Sequence, residues 1–264
     1  MPTYSLTLEY DGTDFAGWQI QPTARTAMGV FKDVLHTVSS ETPALTAAGR
    51  TDAGAHAHGQ VVGCTLERAW EPATLRHALN ATLPADIAVR DVAVREASFD
   101  ARRDAVERTY RYVIVCRDGR APVLRRNAWT VRGPLDVDAM RTAANSLVGR
   151  HDFAAFGSAP RAGGSTVRHV AAVSVERNEI GSDTNPSVID TVVITVHADA
   201  FLRGMMRSFT GALVKIGQGR ATPEWLASLV DTATMRDPSV SVAPARGLHQ
   251  WSVRYEPTPE ELAA

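Results

Sequence analysis

FDARRDAVERT, residues 99–109, is a charged stretch with a similar succession of hydrophobic patterns on either side. Whether the order of elements repeats across it decides the fold. Before it, Tyr4, Leu6, Leu8 and Tyr10 alternate with Thr3, Ser5, Thr7 and Glu9, the period of a strand with one covered face, and DGTDF ends that strand in a turn. Thr26 then caps a helix in which Ala27, Val30, Phe31, Val34, Leu35 and Val38 recur at helical spacing. Short strands follow near 44–48 and 59–67, then a helix over 72–81 with Leu75, Ala78 and Leu79 on one side, then a strand over 87–94. The order is β-α-β-β-α-β.

After the charged stretch the order returns. Residues 109–115 alternate as a strand, 136–147 carry Val137, Met140, Ala144 and Leu147 in helical register, and 170–176 and 189–198 are strands. A helix spans 202–216, an added one 223–231, and 250–255 close the set with Trp251, Val253 and Tyr255 on one face. Residues 178–188 look like an exposed hairpin loop, and the tail PTPEELAA like a loose end. Two such units predict an α+β fold of two split βαβ halves, 1–104 and 105–264. They are expected to form one extended, mainly antiparallel sheet with helices on one face and a central cleft, the charged stretch lying at the seam.

A length of 264 residues allows one large unit or two joined ones, and 44% apolar with 22% charged residues excludes a disordered chain. No apolar run is long enough to cross a bilayer, and MPTYSLTLEYDG reads as a strand rather than a signal peptide, so a cytoplasmic protein is expected. Cys64 and Cys116 sit in alternating apolar segments and suit small buried hydrophobes better than a disulfide or metal pair. The net charge of −1 says nothing for nucleic acid, but Lys32 and Lys215 are the only lysines. Between Arg102 and Arg126, eight arginines face three acids, Asp104, Glu107 and Asp118. That locally basic window suits phosphate oxygens and binding that weakens with salt.

GRTDAGAHAHGQVV, residues 49–62, is the densest run of small and reactive residues. A phosphate loop fails, because Ala55 and His56 follow Gly54 where lysine and a hydroxyl are needed. In a metal site, His56 and His58 would alternate onto one side of an extended segment and Asp52 would add an oxygen, but no comparable ligand cluster accompanies them. In the third reading Gly49 and Gly54 let the backbone turn tightly and present Asp52 at the tip. Arg50 then has a purpose, since a neighbouring cation favours an ionised carboxylate able to attack carbon. A single carboxylate does not fit ordinary glycoside hydrolysis, which uses a pair.

YDGTDFAGWQIQP (10–22), GRTDAGAHAHGQVV (49–62), RTYRY (108–112), GRHDFAAF (149–156), AFLRGMMRSFTGALVKIGQG (200–219) and PARGLHQWSV (244–253) occur in this order. Together they resemble the tRNA pseudouridine synthase family, in its branch acting at positions 38 to 40 of the anticodon arm. The resemblance implies two RRM-like halves with the active site between them, a homodimer, tRNA as partner, and no metal or organic cofactor. By the same resemblance Asp52 is the catalytic aspartate and Arg50 helps extrude the uridine. Tyr110 contacts the target base, and Arg207 pairs with the aspartate. Met28, Ala55 and Met206 depart from the family's usual residues without touching the proposed chemistry. The 178–188 loop and the arginines of 117–126 bear on which RNA is gripped.

Other roles stay open for several of these residues. Tyr110 suits cross-strand packing, since Tyr112 and Ile114 continue its face, and Arg207 suits a solvated or capping position. Phe201, Leu202, Met205 and Phe209 read as core, and His151 and Asp152 as a structural pair. Two rival functions are an inactive RNA-binding protein on the same halves, against which intact GRTDAG argues, and a metal-dependent hydrolase.

Overall fold

The computed structural model describes residues 1–159, 161, 163–180 and 189–256. The expected loop at 178–188 falls mostly outside these residues, and the tail PTPEELAA wholly so. Among the described residues there are five α-helices and ten mainly antiparallel strands, an α+β fold. No helix among them is long and apolar enough to cross a membrane. The chain forms two compact units, Met1–Arg108 with Gln250–Ala264, and Thr109–His249.

The first unit contains β1 (Thr3–Tyr10), α1 (Ala27–Ser39), β2 (Thr46–Ala47), β3 (His56–Thr65), α2 (Pro72–Thr82) and β4 (Ile87–Arg95). It also holds the start of β5 (Ala105–Cys116) and most of β10 (Leu248–Tyr255). Its strand order is β4-β1-β3-β10, with β2 beside β3. The Thr26 hydroxyl accepts from Gly29 N at 3.2 Å and opens α1, which Ser40 closes in the left-handed conformation (φ 63°). Pro72 at the first turn and the Glu71 carboxylate, accepting from Ala73 N and Thr74 N, open α2. Phe31, Leu35, Leu75 and Leu79 of the helices pack with Tyr4, Leu6, Leu8 and Tyr10, the alternate residues expected to be covered. Each fully buried side chain of that size contributes about 1.5–3 kcal/mol. The opposite side of β1 is polar: Thr3 Oγ1 meets Thr65 Oγ1 at 2.8 Å, and Arg95 Nε donates to Ser5 Oγ at 3.0 Å.

The second unit holds the rest of β5, then β6 (Trp129–Val131), α3 (Val137–Ala144), β7 (Gly149–Asp152), β8 (Val167–Ile180), β9 (Ile189–Ala198), α4 (Met205–Gly217) and α5 (Pro223–Leu229). Its order is β5-β9-β8-β7, with β6 parallel to β5. Phe153, Phe156 and Phe209 form an edge-to-face trio with centroids 5.1–6.1 Å apart. β6 and β7 are too short to show a period and have no counterpart among the strands expected from the sequence. The closing strand does not stay with the second unit from Gln250 onward, because it lies beside β3. That pairing joins residues about 190 apart in sequence and leaves no local signature.

Burial pushes the Cys64 thiol up to about 12 and the Cys116 thiol up to about 11. Both are free and buried, and burial favours the neutral thiol, as in a small hydrophobic side chain. His151 does not pair with Asp152. Its Nδ1 meets Asp231 Oδ2 at 2.7 Å, while Asp231 Oδ1 accepts from Asp152 N at 2.6 Å. Gly149 (φ 122°) makes room, since a Cβ there would lie 2.8 Å from His151 Nε2. The hydrogen bond to Asp231 raises the His151 pKa, and bonds from Asp152 N and His151 lower that of Asp231.

These shifts set a pH window. A raised histidine contributes stability that is complete below its unfolded value of about 6.5 and is lost as pH rises through the folded value. A depressed carboxylate contributes stability that is present above its unfolded value of about 3.9 and is lost as pH falls through the folded one. The pair therefore stabilises most between the two unfolded values, about 3.9 and 6.5, and loses that contribution as pH moves out through either folded value. In an NMR titration His151 is expected to turn over above the ordinary histidine midpoint, and Asp231→Asn to return it towards that midpoint. An unmoved midpoint in the variant would mean that the contact is not formed in solution.

Candidate active site

The backbone of GRTDAG is held from several sides within the first unit. Before the turn, Ala48 O accepts from Arg108 Nε at 3.2 Å, and Gly49 O accepts from Gln60 Nε2 at 2.8 Å. After Arg50, the Thr51 hydroxyl meets the Tyr10 hydroxyl at 2.8 Å in a buried contact, and Thr51 O accepts from Trp18 N at 3.1 Å. The turn closes through Ala55 N to Asp52 O at 3.1 Å and is tied back by Gly54 N to Phe15 O at 3.2 Å. Gly54 takes φ 78°, the conformation that the sequence reading required of it. Asp52 is half-buried at the head of this turn, and Arg50 is exposed. Among the described residues Arg50 forms no salt bridge with Asp52. Its guanidinium is available to a phosphate or a base edge.

The segment 12–18, in which the sequence suggests only the turn DGTDF (11–15) ending β1, is the other half of this arrangement. A Cβ on Gly12 would lie 1.8 Å from Ala55 O, and one on Gly17 (φ 94°) 2.9 Å from Thr51 O. The two backbones are therefore in direct contact, and only glycine permits it. Gly12 N donates to His56 Nδ1 at 3.1 Å, and His56 is 3% exposed. Nδ1 also stands 3.1 Å from Asp11 Oδ1. It cannot accept from Gly12 and donate to Asp11 at once. The acceptor role is favoured, because Asp11 Oδ1 already accepts from Thr13 N and Thr13 Oγ1.

His58 goes elsewhere. Its ring lies 4.6 Å from that of Trp251, with Nδ1 3.8 Å from Glu9 Oε1. The register of β1 on β3 shifts between Leu8 opposite Gln60 and Tyr10 opposite Ala57, one extra residue on β3. This bulge breaks the alternation that was to aim both histidines one way. Among the described residues no three His, Cys, Asp or Glu side chains gather as metal ligands.

Arg108 of RTYRY carries more than the sequence suggested. It is 8% exposed and donates to the carbonyls of Ala48, Ala105 and Arg102. It therefore leaves the basic patch and anchors the loop. Arg102 and Arg103 remain exposed in the first unit, and Arg117, Arg120, Arg125 and Arg126 in the second.

Tyr110 and Arg207 belong to the second unit, Asp52 and Arg50 to the first. Tyr110 is 6% exposed with its ring edge-on to Phe201 at 4.6 Å, and Tyr112 and Ile114 continue its face fully buried. Arg207, in the first turn of α4, is half-buried; its Nε donates to Ala243 O at 2.7 Å, while Ala243 N donates to Arg207 O at 3.0 Å. A Cβ on Gly211, one turn on, would lie 1.9 Å from Ser241 O, so α4 is pressed against 241–243. Arg207 is a positioned cation, not a solvated one. The motif PARG is explained by Tyr112, whose hydroxyl donates to Pro244 O at 2.6 Å and whose ring lies where a Gly247 Cβ would fall. Burial raises the Tyr112 pKa against the opposing pull of Arg246 and Arg207, which leaves a neutral donor.

A profile of the tRNA pseudouridine synthase family matches residues 7–104 and 143–256. Asp52, Arg50 and Arg207 fall within the matched segments, and Tyr110 falls between them. Curated relatives cover that interval. The chain is 40% identical over 255 residues to tRNA pseudouridine synthase A of Geobacter sulfurreducens, spanning 97% of this chain and 100% of that protein. It is 38% identical over 258 residues to the protein of that name from Rhizobium meliloti, spanning 97% and 100%.

Proposed function

Because the chain belongs to the tRNA pseudouridine synthase family, we propose that it isomerises uridine to pseudouridine at positions 38, 39 and/or 40 of the tRNA anticodon arm. The observation that carries this reading is Asp52 at the head of a turn whose flanking backbone is fixed at Ala48, Gly49, Thr51 and Gly54. A carboxylate held in that way suits attack at one defined carbon.

The base must first leave the stack, at a cost of a few kcal/mol that is smallest in a loop or at a weak stem end. Arg50, exposed and free of Asp52, holds the arm open. Tyr110 borders the everted uracil, and Arg207 is the cation that serves the Asp52 carboxylate. Asp52 then promotes cleavage of the N1–C1′ bond, by attack at C1′ or by removal of the C2′ proton. Uracil rotates and rejoins through C5; the proton leaves C5 and N1 gains one. The net change is an isomerisation, so no electron acceptor is consumed and no cofactor is called for. A cytoplasmic homodimer belongs to the same proposal.

The test is incubation of the purified protein with unmodified tRNA transcript, without added metal. Chemical adduct formation and primer extension should give stops at positions 38, 39 or 40. Stops confined to other positions would move the target, and none at all would overturn the reading.

A further inference from the structure

Two amides stand in series behind the Asp52 loop. Along β3, Cys64 and Val62 lie in the apolar core shared with α1 and α2, and alternation brings Gln60 to the same side, opposite Leu8 of β1. Gln60 is 0% exposed, and its Nε2 donates to Gly49 O at 2.8 Å. Its Oε1 accepts from Gln250 Nε2 at 3.0 Å, and Gln250 is also 0% exposed. The Gly49 carbonyl fixes both orientations: it accepts only, so Gln60 must present its nitrogen there and its oxygen to Gln250. Gln250 Oε1 is then left buried without a donor among the described residues.

On stability grounds this arrangement gains little over an apolar pair, because the buried Gln250 acceptor without a donor is penalised, whereas leucine at both positions leaves only the half-buried Gly49 carbonyl to turn to water. What the glutamines add is a fixed carbonyl one residue before Arg50 and three before Asp52. We infer that Gln60 and Gln250 are positioning residues for the isomerisation, a relay from β10 through β3 that sets the Gly49 carbonyl and with it the Asp52 turn. The inference rests on the function proposed above.

The test compares wild type, Gln60→Leu/Gln250→Leu and Gln250→Leu for thermal unfolding, tRNA affinity, kcat and KM. The double variant is expected to stay folded and melt close to wild type, the lost Gln250 penalty offsetting the lost Gly49 bond, and to bind tRNA within about threefold, since uniform binding is untouched. Its kcat is expected to fall about 10- to 100-fold, the scale of a small misplacement at a reacting centre, with KM unchanged. A folded double variant with wild-type kcat would overturn the relay. If the double variant does not fold, Gln250→Leu decides: it keeps the Gln60–Gly49 bond and frees only the Gln60 oxygen. A severalfold drop in kcat supports the relay and an unchanged kcat sinks it. Failure of the functional reading looks different, as wild type itself would then make no pseudouridine.

Discussion

Asp52→Asn is expected to give a folded protein that binds tRNA with near-normal affinity and makes no pseudouridine. Asparagine has almost the same shape as aspartate, and none of the anchoring bonds at Ala48, Gly49, Thr51 and Gly54 uses an Asp52 side-chain atom. The turn should keep its form. What disappears is the anionic oxygen, and an amide oxygen neither attacks C1′ nor removes a C2′ proton at a useful rate. Loss of a group acting at the reacting centre lowers kcat by roughly 10⁴-fold or more, while binding that depends on arginine–phosphate contacts stays. Affinity must be compared at one fixed salt concentration, because the exposed arginines make it fall steeply as salt rises. Appreciable product from the variant would remove Asp52 from the chemistry under either route.

How much of this was legible in the sequence varies with the range of the contacts. The alternation of Tyr4, Leu6, Leu8 and Tyr10, the Thr26 cap and the strand at 189–198 depend on neighbours within a few residues, and each is found as expected. The requirement for glycine at position 54 was visible too, since a tight turn needs a positive φ. What was not visible depends on distant partners. His56 and His58 look like a ligand pair on an ideal strand, and one extra residue at the β1–β3 bulge separates them. Arg108 counts as surface charge until its carbonyl partners at Ala48, Ala105 and Arg102 are known. GTDF looks like a plain turn because nothing in its composition reveals that Ala55 rests on Gly12. The resemblance to a family pointed to Asp52, and only the fold shows what holds its loop.

That contact supplies the second large effect. Gly12→Ala is expected to destabilise the first unit and to cripple the reaction together. Gly12 does not have a positive φ, so alanine meets no backbone penalty there. Through the unfolded state alone, the change would stabilise by about 0.4–1 kcal/mol. Against this stands a Cβ placed 1.8 Å from Ala55 O and 2.5 Å from Ala55 C, both backbone atoms that no rotamer change can move. Overpacking of this kind typically costs about 1–3 kcal/mol and sometimes more, so the clash prevails. Relief requires the segment 12–18 and the turn 52–55 to separate by more than an ångström. Gly12 N to His56 Nδ1, Gly54 N to Phe15 O and Trp18 N to Thr51 O all span that gap. Displacement of Asp52 on this scale lowers kcat about 100-fold even in molecules that remain folded. Calorimetry and single-turnover kinetics, measured well below the melting point, separate the two losses. A variant that melts and turns over like wild type would show that Gly12 and Ala55 are not in contact and that the loop holding Asp52 is fixed by other means.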